Sequence, residues 1–123
     1  MKANRTDDRS PDKTTSRQHI CWNKDLQAQS LRVELANGSF FLFPYTHLAM
    51  VKFEQNGDDD LLHLRFVNHE VQIIGKRLRE LGLAFQKLGV EWLKPVPERY
   101  AGIATGDTVC ITSIKISELQ AQQ

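Results

Sequence analysis

The sequence predicts an α+β domain: an antiparallel β-meander of about five strands that can curl into a partial barrel, one packed α-helix, and a further C-terminal strand. Three observations predict it. Apolar residues alternate between Leu31 and Ile73, interrupted by turn signals at Asn37-Gly38, "NGDDD" and Asn68-His69. After Lys76 the apolar period becomes helical. Near the C-terminal end "TVCITSIKI" has strong β propensity.

The first hairpin reads from "SLRVELANGSFFLFP". Asn37-Gly38 suits a two-residue type I′ turn, which needs positive φ at both positions. Such a turn sets Leu35 opposite Phe40, Val33 opposite Leu42 and Leu31 opposite Pro44 on one apolar face. Phe41 and Phe43 then fall on the other face, beside Arg32 and Glu34, and become the candidate interface. Pro44 has no N–H for the ladder and ends it. In the following bend Tyr45 and His47 are the candidate pocket residues.

"AMVKFEQ" and "LLHLRFV" form the second hairpin. A four-residue loop at 57–60 would place Phe53 opposite Leu64, Val51 opposite Phe66, and Glu54 near His63. A turn at Asn68-His69 then pairs Phe66 with Val71 and Leu64 with Ile73. The spacing of Leu78, Leu81, Phe85 and Leu88 predicts a helix from Lys76 to Leu88, with Gly89 as its C-cap. Gly82 near this stripe implies close approach of helix and sheet, and Leu83 points to solvent. "VEWL" is a short extended run, and the proline- and glycine-rich 94–107 connection leads to the last strand. The expected core is Val33, Leu35, Leu42, Val51, Phe53, Leu64, Phe66, Val71, Ile73, Leu78, Leu81 and Phe85.

The junction "EVQIIGKRLREL" poses the main functional question. Orphan N–H groups and the dipole at a helix start favour an anion, and Lys76, Arg77 and Arg79 add charge. With Arg65 they are the candidate anion or nucleic-acid contacts. The stretch lacks the upstream glycine and the following Ser or Thr of a phosphate loop. Gly75 as a plain turn residue therefore ranks first.

Bulk composition excludes several classes. The 123 residues are 41% hydrophobic and 25% charged with a formal net charge of +1, which fits one globular domain and gives no strong field for nucleic acid. Residues 1–18 carry Lys2, Arg5, Arg9, Lys13 and Arg17 against three aspartates, with almost nothing apolar, and read as a disordered tail. Residues 19–117 form the domain, and 118–123 a polar C-terminal tail. No apolar run is long enough for a membrane span. Cys21 and Cys110 match no zinc or redox spacing, so buried free thiols in the cytoplasm are expected. The histidines lack metal-ligand spacing, and Asp58 to Asp60 read as a solvated turn rather than a calcium loop.

No nucleophile motif or paired carboxylates suggest an enzyme, and no metal or cofactor is implied. The expectation is a small non-enzymatic binding or interaction module. It would self-associate as a homodimer through the first hairpin, where the Leu31–Ala36 strand has a free edge unless the last strand or "HICW" covers it. A nucleic-acid-binding barrel is the second choice.

Overall fold

The computed structural model describes residues 20–97 and 108–119. The 1–18 tail, His19, the greater part of the 94–107 connection and residues 120–123 lie outside them. The chain is α+β. Strands β1 (Trp22–Lys24), β2 (Ser30–Glu34) and β3 (Phe40–Pro44) precede a single 3₁₀ turn at Tyr45–His47. Then come β4 (Leu48–Asn56), β5 (Asp59–Phe66), β6 (His69–Lys76), helix α1 (Leu78–Phe85), β7 (Val90–Leu93) and β8 (Cys110–Glu118).

The expected five-strand meander is divided between two four-stranded sheets among the described residues, ordered β1-β7-β2-β3 and β4-β5-β6-β8. The division falls where Pro44 ends the first ladder and the 3₁₀ turn redirects the chain. The last strand pairs with β6, not with β2. The open edge of β2 is filled by β7, in parallel, with Arg32 beside Trp92 and Val33 beside Leu93. β2 therefore has neighbours on both sides, and the edge expected to drive dimerisation is closed within the chain.

In the first hairpin the expected register is off by one residue. Gly38 donates its N–H to the Leu35 carbonyl at 2.9 Å, and Leu35 N–H reaches the Ser39 carbonyl at 2.8 Å. Gly38 alone is left-handed, at φ 94. This is a three-residue loop closed by a glycine bulge rather than a type I′ turn. Asn37 Oδ1 helps hold it by accepting from Ser39 N–H at 2.9 Å and from its hydroxyl at 2.7 Å. Val33 now faces Phe41 and Leu31 faces Phe43. Because side chains alternate, one residue of slip exchanges the two faces of β3. Phe43 is buried, while Leu42, placed in the expected core, is 60% exposed.

The other two hairpins differ from expectation by two residues, which leaves their faces unchanged. β4 and β5 join through Gly57-Asp58, so Phe53 faces Leu62 and Val51 faces Leu64. β5 and β6 join through Val67-Asn68, so Leu64 faces Val71 and Leu62 faces Ile73. His69 begins β6 and is not in the turn.

Both sheets and the helix share one core. Val33, Leu64, Phe66, Val71, Ile73, Leu78, Leu81 and Phe85 are buried in it, whereas Leu35, Val51 and Phe53 are packed against it and half-buried. Phe43 stacks on Phe66 with ring centroids 4.5 Å apart, tying the first sheet to the second. α1 buries Leu78, Leu81 and Phe85, worth about 1.5–3 kcal/mol each. A Cβ at Gly82 would lie 3.1 Å from Leu62 Cδ1, the close approach that its place in the stripe suggests. Leu83 is exposed. The helix is shorter than expected, and the left-handed residue after it is Leu88 (φ 53), not Gly89.

Gly75 is likewise not the turn residue. It lies inside β6, at an irregularity in the pairing with β8. A Cβ there would stand 2.0 Å from the Cys110 carbonyl oxygen, so glycine is what allows the two backbones to meet. The turn into α1 is made by Arg77 at φ 62. Gly75→Ala is therefore expected to lose at least about 3 kcal/mol in urea melts. Arg77→Gly, which relieves a left-handed side chain, should stay within about 1 kcal/mol of wild type. Equal losses from the two would contradict this assignment.

Candidate functional site

The start of α1 is occupied from inside the molecule. Pairing of β5 with β6 sets Asp60 opposite Gly75, which carries the acidic turn up to the helix. Leu78 N–H donates to Asp60 Oδ2 at 3.0 Å, so a carboxylate of the chain itself takes the anion position. Lys76 Nζ forms an ion pair with Asp59 Oδ1 at 2.9 Å and also donates to the Asp58 carbonyl. The Asp59 partner, then the nearby aspartate charges, push the Lys76 ammonium above its usual range. The aspartates read from sequence as a solvated turn thus clamp the strand–helix junction.

The four candidate cations do not assemble into one patch. Arg65 lies opposite Glu70 in the strand register at the other end of β5, five residues from Asp60, or about 17 Å along the strand. Lys76 is committed to Asp59, and Arg77 supplies the left-handed turn. Arg79 lies exposed on the first turn of α1.

Tyr45 and His47 separate as well. Tyr45 is buried, donates its hydroxyl to the Val90 carbonyl and meets Phe85 edge-on at 6.4 Å. Burial pushes its phenol upward. His47 is exposed, so the two do not share a pocket. Phe41 and Phe43 stack with centroids 5.8 Å apart and lie beside His69, at 6.2 and 5.5 Å. Phe43 is too buried to offer an interface, while Phe41 is 38% exposed. His63 sits between two carboxylates, its Nε2 3.3 Å from Glu54 and its Nδ1 3.2 Å from Glu70. Among the described residues no His, Cys, Asp and Glu side chains group as a metal site. No described helix is long and apolar enough to cross a membrane.

Two surfaces stand out that the sequence reading did not find. One is the outer face of β3, where Phe40 is 54% and Leu42 60% exposed on a strand with no neighbour on its far side among the described residues. The misplaced register hid it. The other is a cleft of about 330 Å³ between β4 and α1, bordered by Val51, Phe53, Arg79, Leu83 and Gln86. Its local signal was the half-buried alternation of β4 beside an exposed Leu83.

Cys21 and Cys110 are both buried and free, and Cys21 Sγ is 3.4 Å from the Val109 carbonyl. Comparison with family models, curated proteins and solved structures gives no match.

Two outcomes follow from this geometry. Asp60→Ala should lower stability by about 0.5–2 kcal/mol in urea melts, as loss of a helix-capping carboxylate does. Burial pushes the Cys21 thiol from 9.0 to about 11. The folded state thus keeps the neutral thiol while the unfolded chain ionises, so this stability is whole below pH 9 and drains away as pH rises toward 11. Cys21→Ala should lose about 2–3 kcal/mol less than wild type between pH 8 and 11. Tyr45, present in both proteins, cancels from that comparison. Parallel pH profiles would show that Cys21 does not carry the effect.

Proposed function

We propose that the protein is a small non-enzymatic interaction module that self-associates through the edge of β3. What supports this is one juxtaposition: an unpaired strand edge with Phe40 and Leu42 exposed on its outer face. Free backbone groups invite a second strand, and the apolar side chains make that addition favourable. Two copies meeting about a two-fold axis would pair β3 with β3, with Leu42 near the centre of the five-residue strand. Pro44, lacking an N–H, confines the ladder to Phe40–Phe43. A nucleic-acid-binding role is less well supported, because its cations are dispersed between two ends of the sheet and Lys76 is already paired.

Light scattering over a wide concentration series tests the reading. Wild type should approach twice the chain mass, and Phe40→Asp with Leu42→Asp should stay at one chain mass while remaining folded. A wild-type monomer throughout, or a dimer indifferent to both substitutions, would refute it.

A further inference from the structure

The cleft between β4 and α1 has a different chemistry from the β3 edge. β4 is the outer strand of its sheet among the described residues, so its far edge carries unpaired backbone groups. On its inner face Val51 and Phe53 are half-buried, not sealed, because the helix does not cover them fully. Across the cleft lie Arg79 and Leu83 of α1 and Gln86 at its C-cap, spaced four and three residues apart and therefore on one stripe. Leu83 is 54% exposed. A free strand edge beside an apolar trough roofed by a helix is the geometry in which an extended peptide adds as an extra strand. Its backbone pairs with the edge, and alternate side chains enter the trough.

Charge selects among such peptides. Arg79 is the charged residue of this cleft, set among Val51, Phe53, Leu83 and Phe85. It has no hydrogen bond or ion pair within the described residues. It also stands in the first turn of the helix, where the dipole disfavours a cation. Toward the helix start the cleft continues past Asp60, Arg77 and Glu80, where the Asp60 carboxylate is already turned to Leu78 N–H.

We propose that this cleft binds an extended peptide segment, added as a strand along β4, whose apolar side chains rest on Val51, Phe53 and Leu83 and whose carboxylate pairs with Arg79. This inference stands apart from self-association through β3, which uses the other sheet.

A displayed library of random eight-residue peptides, selected on the full chain, tests it. Enriched sequences should alternate apolar residues around an Asp or Glu. Labelled copies should lose at least tenfold in affinity for Arg79→Glu and for Leu83→Asp, and keep full affinity for Lys115→Glu, an equal charge reversal on the opposite edge strand. Changing the peptide's acidic residue to lysine should weaken binding similarly. Glutamate in a first helical turn suits the dipole, so Arg79→Glu should melt in urea no earlier than wild type, separating lost binding from lost folding. No enrichment, or peptides that bind Arg79→Glu as tightly as wild type, would overturn the proposal. So would binding of dodecanoate without any peptide, or conversion of a dimer to monomer by Arg79→Glu, since a fatty acid or a second copy would then be the occupant.

Discussion

The left-handed backbone at Gly38 decides which phenylalanines of "FFLF" go inside, and much of the molecule depends on that choice. With the three-residue loop, Phe41 and Phe43 share a face with Leu31 and Val33. Phe43 then reaches Phe66 in the other sheet, and this stack is a direct contact joining the two layers. A two-residue loop would have sent Phe40 and Leu42 inward and left Phe66 facing a gap. The same geometry fixes the surface, since it leaves Phe40 and Leu42 exposed on the outer face of the sheet's edge strand. Core and exposed edge are thus two results of one turn conformation.

How much was legible in the sequence follows the same logic of periods. The second and third hairpins were misread by two residues, yet Val51, Phe53, Leu64, Val71 and Ile73 stayed on the inner face because the side-chain period is two. The first was misread by one, and Leu42 changed places with Phe43. Asn37-Gly38 signals a turn without specifying its length, and both adjoining faces were apolar, so hydrophobicity could not correct the register. Three residues of the expected helical stripe, Leu78, Leu81 and Phe85, are enclosed, whereas the fourth, Leu88, falls past the helix end and is exposed. Long-range relations were not legible. Nothing local in "VEWL" says that it inserts beside β2, or that Gly75 is needed because Cys110 approaches it.

The charged groups follow a comparable pattern. Read alone, "GKRLRE" invites an anion and "GDDD" invites a cation, and the hairpin between them brings each to the other. Asp60 satisfies the helix N–H while Asp59 and the Asp58 carbonyl hold Lys76. Features that look like sites in one dimension neutralise one another in three. Arg79, the residue after Leu78 in the first turn of the helix, takes no part in this exchange and borders the cleft instead. Tyr45 shows the same contrast: a bend residue with a polar group in sequence becomes a core residue whose hydroxyl is used by Val90.

The insertion of β7 between β1 and β2 also bears on the order in which the molecule assembles. Arg32 meets Trp92 across 60 residues of chain, whereas the β4–β5 and β5–β6 ladders close through two-residue loops. Closing a long loop has an entropic cost that local hairpins avoid, so the meander and the helix that follows it are expected to condense before β7 docks. The first hairpin must then wait as a two-stranded ribbon, with an apolar residue at every position from Phe40 to Phe43 and both edges open. A ribbon of that kind is marginal alone and prone to pairing with neighbouring chains. In that order of assembly, docking of Val90–Leu93 would withdraw one of those edges, and its rate would set how long the chain is open to aggregation.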